Sequence, residues 1–313
     1  MIKTGLIYDD IFLKHETPRW HPESKERLVS IMKALGSPDI RDKLVLIKPR
    51  KAAFGEIALV HTPDYIEMIK NFGAGHLDPD TYMSKDSLEA ALFASGAVLE
   101  AVERCKSGSL RRAFCAVRPP GHHAEAHRAM GFCLFNNIAV GARYAQGAGY
   151  GKVFIVDFDV HHGNGTQHTF ERDDTVFYFS THQYPHYPGT GSESERGKGK
   201  GEGYTYNIPM GAGSGDEEYS HAYCKTLHDL VRGFGPDIVL VSAGYDIHIN
   251  DPLSSIRVSN EGIRSIVQGI LSAPEDPARI PFIFALEGGY DLDALGESVK
   301  ITLEEMMVSD TAR

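Results

Sequence analysis

Short apolar runs recur along the chain, and each has the length of a single strand. A buried strand of a parallel sheet is covered on both faces, so its sequence is continuously apolar rather than alternating. Turn residues bound the runs, which are too short for helices of ordinary length. The runs are Gly5–Tyr8, Leu44–Ile47, Ala113–Val117, Val153–Phe158, Val176–Phe179, Ile238–Val241 and Phe282–Leu286.

Segments of helical composition lie between several of these runs. Parallel strands cannot be joined by a tight hairpin, so the alternation of strands and helices predicts βαβ crossover units. We therefore predict an α/β fold with a central, mostly parallel sheet of about eight strands and helices on both faces. The predicted helices are Leu88–Lys106, Asn137–Gln146, Asp216–Phe234 and Asn260–Leu271.

The chain of 313 residues contains no internal repeat and no linker between two cores. We therefore predict a single domain over residues 1–313. A helix start is expected between Pro22 and Leu28. The polar, glycine-rich stretch Ser192–Gly203 has no apolar periodicity, so we expect a mobile surface loop there.

The charge balance of the chain limits its partners. The chain carries 42 acidic and 32 basic side chains, a formal net charge of −10. Nucleic-acid binding requires clustered Lys and Arg in excess, so we expect no nucleic-acid partner. A cationic substrate is favoured instead. With 42% hydrophobic residues the chain can bury a substantial core, which excludes a disordered or fibrous protein.

No apolar run approaches the roughly 20 residues that a membrane-spanning helix requires, and no signal peptide is recognisable. We therefore expect no membrane partner. The cysteines form no C-x-x-C pair, so they indicate neither a disulfide scaffold nor a thiolate zinc site. This usage fits a reducing compartment, and we expect a cytoplasmic protein. The cysteines are Cys105, Cys115, Cys133 and Cys224.

Residues that can bind metals or transfer protons follow four of the predicted strands. In open α/β sheets, ligands bind beyond the carboxyl ends of the strands, so these segments are expected to converge on one site. The segments are Arg118–His123 (RPPGHH), Asp157–Gly165 (DFDVHHGNG), Gly244–Asp246 (GYD) and Glu287–Tyr290 (EGGY).

Asp159 and His161 are two residues apart, so on an extended strand their side chains lie on one side and can bind a single cation. Asp246, from another strand end, would complete a set of three oxygen and nitrogen ligands, which suits a zinc ion with an open position for water. Taken alone, the Asp-x-His pattern is also compatible with a helix cap or a buried ion pair.

The pair His122-His123 follows a rigid Pro-Pro-Gly turn, where either imidazole can exchange protons near neutral pH. A pair of hydrogen-bonded core histidines is the alternative interpretation. Tyr290 follows two glycines and can place a phenol in the same cleft, although an isolated tyrosine is more often a packing residue.

The chain resembles the histone deacetylase superfamily, which also contains acetylpolyamine amidohydrolases and has the arginase/deacetylase-like α/β fold. The similarity extends from His21 to Tyr290. It rests on several motifs that occur in one order. These are RPPGHHA at Arg118–Ala124, GFCLFNN at Gly131–Asn137, VDFDVHHGNGT at Val156–Thr166, YPGTG at Tyr187–Gly191, AGYD at Ala243–Asp246 and LEGGY at Leu286–Tyr290.

The resemblance implies one catalytic zinc ion bound by Asp159, His161 and Asp246, with Tyr290 stabilising an oxyanion. It also implies a catalytic histidine pair at His122 and His123. Asp157 is expected to orient His122, and Asn164 is expected to orient His123. The best-known class I enzymes carry aspartate at the second of these positions, so the Asn resembles the class II and bacterial branches. A neutral amide should leave the pKa of His123 lower than a carboxylate would.

Four further positions are assigned to substrate binding by the resemblance. Phe132 and Tyr187 would line a narrow tunnel, the Gly131 carbonyl would accept from the scissile N–H, and Leu253 would lie at the tunnel mouth. An acidic residue at that mouth would favour polyamines, and leucine does not. A structural potassium ion is also implied, bound by Asp157, Ser180 and backbone carbonyls.

The resulting prediction is a zinc-dependent amidohydrolase that removes an acetyl or other short acyl group from an N-acyl amine, with acetyl-lysine of a protein or peptide as the expected substrate. Hydrolysis of acetylpolyamines or other small molecules is the alternative. Two further alternatives are less favoured. An arginase-like ureohydrolase would need ligands for two metal ions, whereas the residues here fit one. An inactive acyl-lysine-binding module would not need all six metal-binding and catalytic residues, which are present here. The sequence leaves open the working base, zinc versus iron, and the oligomeric state.

Overall fold

A computed structural model describes residues 3–308 and contains one large sheet. The sheet has eight strands in the order β2-β1-β5-β10-β9-β6-β7-β8, and every neighbouring pair is parallel. Two very short strands, β3 and β4, form a separate antiparallel pair. The strands are β1 (Thr4–Ile7), β2 (Val45–Ile47), β3 (Gly75–His76), β4 (Tyr82–Met83), β5 (Arg112–Cys115), β6 (Val153–Asp157), β7 (Val176–Gln183), β8 (Thr205–Met210), β9 (Ile238–Ala243) and β10 (Phe282–Leu286).

Helices cover both faces of the sheet in two packed groups. In one group α5 packs against α6, and in the other α11 packs against both α1 and α10. No helix within residues 3–308 is long and apolar enough to cross a membrane. The helices are α1 (Glu26–Ala34), α2 (Pro38–Arg41), α3 (Phe54–Ile57), α4 (Pro63–Phe72), α5 (Ser87–Lys106), α6 (Asn137–Gly147), α7 (Asn164–Phe170), α8 (Asp216–His221), α9 (Leu227–Phe234), α10 (Asn260–Ser272) and α11 (Leu292–Val308).

The predicted fold class is confirmed, and each predicted apolar run overlaps a strand of the sheet. Every residue of β5, β6, β7, β9 and β10 is buried, which explains why these runs are continuously apolar. The chain passes from β5 to β6 and later returns to insert β9 and β10 between them. The carboxyl ends of these four central strands therefore share one region, where ligands bind in open α/β sheets.

Three local predictions need correction. Strand β8 was missed, because it lies at the edge of the sheet and mixes polar and apolar residues. The predicted helix Asp216–Phe234 is instead α8, a π-helical turn at Ala222–Thr226, and α9. Within Pro22–Leu28 the helix begins only at Glu26.

The glycine-rich stretch Ser192–Gly203 lies at the surface but packs against its neighbours. Lys198 N–H donates to the Glu171 carbonyl, and Gly201 is buried. A Cβ on Gly201 would lie 2.5 Å from that carbonyl oxygen, so the close approach requires glycine. The mobility of this loop stays a prediction.

Candidate active site

A narrow cavity of about 80 Å³ opens at the carboxyl ends of the central strands. Most of the residues singled out in the sequence line it, although they come from separate segments of the chain. The cavity is therefore the candidate active site. Its lining consists of Asp80, Pro120, His122, His123, Gly131, Phe132, His161, Tyr187, Leu253, Gly288 and Tyr290.

Asp159, His161 and Asp246 converge at the base of this region, with one potential ligand atom from each within 4.8 Å of the others. His161 Nδ1 lies 3.2 Å from Asp159 Oδ1 and 3.1 Å from Asp246 Oδ2. Both carboxyl groups are buried, and the imidazole is 12% exposed. The structure thus brings together the three residues that the sequence predicted as a ligand set.

Main-chain groups fix the two carboxylates. Asp246 Oδ1 accepts a hydrogen bond from Val160 N–H at 2.9 Å, and Asp159 Oδ2 accepts one from Gly288 N–H at 2.7 Å. The backbone comes so close that a Cβ on Gly288 would lie 2.2 Å from Asp246 Oδ2. A glycine at position 288 is therefore required for this arrangement.

The donor set fits a divalent cation. Burial and the charge of Asp159 raise the pKa of Asp246 to about 7, because two carboxylates held together in a dry site repel each other. A bound cation would relieve this repulsion. Two carboxylates and one imidazole suit zinc in a site that keeps a position open for water or substrate.

His122 and His123 lie side by side, with ring centroids 4.0 Å apart. His122 Nδ1 lies 3.1 Å from Asp157 Oδ2, and His123 Nδ1 lies 2.8 Å from Asn164 Oδ1. Each ring therefore uses Nδ1 to donate to a buried partner, and its Nε2 is left for other contacts. Both rings line the cavity.

The two histidines differ in electrostatic environment. Burial opposes the charge on His122, but the carboxylates of Asp157 and Asp159 outweigh it and raise its pKa to about 10. Burial and the neighbouring charge of His122 hold the pKa of His123 well below its usual value. His122 therefore holds a proton more readily than His123 does.

Tyr290 makes one contact through its main-chain N–H and another through the face of its ring. Its N–H donates to Asp251 Oδ2 at 2.6 Å, and the Arg27 guanidinium carbon lies 5.0 Å from the centre of its ring. Among residues 3–308 the Tyr290 hydroxyl has no hydrogen-bond partner, and the residue lines the cavity. The phenol is thus free to donate to a bound group.

Two aromatic rings form part of the cavity wall. Tyr187 packs edge-on against His123 with ring centroids 5.2 Å apart, and Phe132 packs edge-on against Tyr290 at 6.0 Å. Phe132 has φ of 69° and is the only non-glycine residue with positive φ in the described part of the chain. Such strain persists where the surroundings enforce it and is frequent at ligand sites.

A model of the histone deacetylase domain family matches residues 21–306. The chain belongs to this family. This finding confirms the resemblance proposed from the motifs.

Other proteins of the family match the chain over most of its length. A probable deacetylase from Methanothermobacter thermautotrophicus is 42% identical over 89% of this chain and 83% of the archaeal protein. Histone deacetylase 5 from Arabidopsis thaliana is 37% identical over 98% of this chain, which spans about half the length of that plant protein (50%). The crystal structure of the HDA15 HD domain superposes with a TM-score of 0.93 at 34% identity, covering 98% of this chain and 88% of that one.

Several residues around the family's cavity were not singled out in the sequence. Asp80 and Pro120 line it directly. Glu287 is buried behind it, and its Oε2 accepts main-chain N–H groups of Gly121 at 2.6 Å and His122 at 3.2 Å. The glutamate is the first residue of the EGGY segment at a strand end, which was a usable signal. For Asp80 no comparable signal exists, because it follows no predicted strand.

The predicted potassium ligands are also close together. Asp157 and Ser180 are direct register partners on β6 and β7, and Tyr178 hydroxyl donates to Asp157 Oδ2 at 3.1 Å. Ser180 Oγ lies 2.9 Å from His182 Nδ1. These contacts are compatible with a cation-binding region, and the potassium ion itself stays a prediction.

Proposed function

We propose that this protein is a zinc-dependent amidohydrolase that removes an acetyl or other short acyl group from an amine. One observation carries the proposal: the cluster of Asp159, His161 and Asp246 adjoins the cavity lined by His123 and the free Tyr290 hydroxyl. A metal-dependent amide hydrolase uses these three functions in one place, namely a cation site, a proton carrier and an oxyanion donor.

Asp159, His161 and Asp246 would hold the zinc ion. When bound, zinc polarises the acyl carbonyl and lowers the pKa of water to about 7 in hydrolases of this kind. Fixed main-chain donors on both carboxylates orient them for the ion, as supporting contacts do in metal sites generally.

His123 is proposed as the residue that moves the proton. Its Nδ1 donates to Asn164, so Nε2 can take a proton from the attacking water and later deliver it to the leaving amine. His122 is paired with the Asp157 carboxylate and stays protonated, adding positive charge beside the reacting carbonyl. Tyr290 donates its hydroxyl hydrogen to the oxygen on which negative charge develops.

Acetyl-lysine in a protein or peptide is the proposed substrate. Phe132, Tyr187 and the apolar Leu253 all line the cavity, and apolar and aromatic walls of this kind suit an extended alkyl stem. The Gly131 carbonyl is proposed to accept the hydrogen of the scissile amide. Acetylpolyamine hydrolysis remains the second candidate, because Asp80 adds a carboxylate to this lining.

A turnover panel on the zinc-loaded protein tests the proposal. The panel contains acetyl-lysine peptides, longer acyl-lysine peptides, acetylputrescine and acetylspermidine, with acetate release as the readout. Preference for acetyl-lysine peptides, measured as kcat/KM, supports the proposed substrate. Preference for the polyamines reassigns it, and binding of acyl-lysine without turnover by zinc-loaded protein contradicts the enzymatic function.

A further inference from the structure

Asn164 is itself held in place by a second group of contacts. Its Nδ2 lies 2.5 Å from Glu125 Oε1 and 3.2 Å from the His123 carbonyl oxygen. Beyond Glu125, the Nδ1 of His168 lies 2.8 Å from the same Oε1. A continuous chain of hydrogen bonds thus connects His123 in the cavity to the exposed His168 ring.

The orientation of the Asn164 amide decides what His123 must do. An amide has one accepting end and one donating end, whereas an ionised carboxylate only accepts. Glu125, with the more distant His123 carbonyl as a second acceptor, therefore holds the NH₂ group of Asn164 away from the His123 ring, and Oδ1 faces that ring. Since Oδ1 only accepts, His123 Nδ1 must carry the hydrogen, which leaves a free lone pair on Nε2.

Glu125 is ionised near neutral pH. Burial alone would raise its pKa, since the side chain is only 11% exposed, but hydrogen bonds from His168 and Asn164 lower it below the usual value. The ionised carboxylate can only accept hydrogen bonds, whereas a protonated carboxyl group could also donate one to Asn164.

We propose that Glu125 is a positioning residue that acts on His123 through Asn164. It fixes the amide orientation and so selects the His123 tautomer whose Nε2 can accept a proton. Glu125 does not line the cavity, so its effect on catalysis is indirect. The inference rests on the proposed function only in taking His123 as the proton carrier.

Two substitutions at position 125 separate positioning from simple packing. Glu125→Met keeps the length of the side chain but removes the closer acceptor of the Asn164 NH₂ group, so only the His123 carbonyl at 3.2 Å still favours the original amide orientation. Glu125→Lys offers only donors, so it should attract Oδ1 of Asn164 and present the NH₂ group to His123. The carboxylate of Asn164→Asp accepts hydrogen bonds through both oxygens, so it can accept from His123 Nδ1–H in either orientation. Adding Asn164→Asp to Glu125→Lys should therefore restore activity.

The measurements are kcat of zinc-loaded protein, thermal unfolding, and ¹⁵N NMR of histidine-labelled protein with His123 assigned by its substitution. We expect kcat to fall about tenfold in Glu125→Met and about 100-fold in Glu125→Lys, because an indirect effect should not exceed the lower end of the roughly 100- to 10,000-fold that a proton-transfer group itself contributes. The His123 signal should shift toward the Nε2–H tautomer in both, and Asn164→Asp should reverse this in Glu125→Lys. Should Glu125→Lys not fold, the methionine variant decides by the same two readouts.

Glu171→Met is the matched control, because Glu171 is also partly buried and ion-paired, with Lys198 at 2.8 Å, but lies outside the chain of hydrogen bonds. Its kcat and His123 tautomer should equal those of the wild type. A Glu125→Met protein whose kcat lies within about twofold of this control and whose tautomer is unchanged overturns the inference. Absence of turnover in wild-type protein contradicts the proposed function instead, and the NMR comparison still tests the role of Glu125.

Discussion

Gly288 N–H donates to Asp159 Oδ2 at 2.7 Å, and this contact joins the turn that carries Tyr290 to the proposed metal site. The two residues follow β10 and β6, which are separated in the sheet by β9. One main-chain hydrogen bond therefore fixes both a candidate ligand and the segment that presents the phenol. Changes at position 288 should disturb metal binding and catalysis together.

Gly288→Ala tests this coupling. The added Cβ would lie 2.2 Å from Asp246 Oδ2 and 2.6 Å from Asp159 Oδ2, so the carboxylates must move. We expect weaker zinc binding, lower turnover and a loss of about 1–3 kcal/mol in the free energy of unfolding. Zinc content, kcat and urea unfolding check the three effects. Gly55→Ala is the control, because nothing lies within 4 Å of its added Cβ, and unchanged zinc affinity in Gly288→Ala would disprove the coupling.

Tyr290→Phe should act on catalysis alone. The substitution removes the hydroxyl that has no partner in the described residues but keeps the ring against Arg27. Loss of one oxyanion donor typically lowers kcat about 100- to 1000-fold. Zinc content and melting temperature should change little, as expected for an interaction made mainly in the transition state. A kcat within about threefold of wild type would reject the assigned role, since it corresponds to less than about 1 kcal/mol.

His61 should make the protein less stable in mild acid. Its Nδ1–H donates to the Glu125 carbonyl at 3.0 Å, Asn136 N–H donates to Nε2 at 2.9 Å, and burial lowers its pKa to about 4. The unfolded chain, with a histidine pKa of about 6.5, binds a proton that the folded protein excludes between these values. Stability is therefore fully present above pH 6.5 and is lost as the pH falls, by up to about 1.4 kcal/mol per pH unit.

Urea unfolding of the wild type and His61→Gln between pH 7.5 and about 4 measures this contribution. The variant lacks the titrating group, so its free energy of unfolding should fall less steeply as the pH decreases. The difference in slope should correspond to the binding of one proton, at most about 1.4 kcal/mol per pH unit. Other buried histidines titrate in both proteins, and their contribution cancels in the comparison. Identical slopes would show that His61 is not the source.

Strands β5, β6, β7, β9 and β10 were predictable because every residue in them is buried, and the central site followed from the residues that come after the strands. Edge strand β8 was not predictable on this basis, because it mixes polar and apolar residues and only three of its six residues are buried. The π-helical turn at Ala222–Thr226 is likewise hidden, because its composition resembles that of the flanking helices.

Residues that act through other residues were the ones that the sequence did not reveal. Asp251 holds Tyr290 through a main-chain N–H, and Glu287 holds the main chain at His122. Every residue type except proline offers the same main-chain N–H group. A side chain that binds such a group therefore requires no particular residue at the bound position, and the sequence carries no sign of the contact. Asn164 was found because the family resemblance places it beside His123, whereas Glu125 was recognised only from its hydrogen bond to Asn164.

Zinc stoichiometry and turnover of Asp246→Ala, measured on one preparation, test the central claim most directly. Asp173→Ala is the control, because Asp173 is a partly buried, ion-paired aspartate outside the site. Contacts that only support a ligand change metal affinity about 10- to 100-fold, so loss of a ligand should cost at least as much. The wild type and the control should bind one zinc ion per chain and hydrolyse the substrate, whereas Asp246→Ala should lose both properties. Wild-type zinc content and turnover in Asp246→Ala would contradict the proposed metal site.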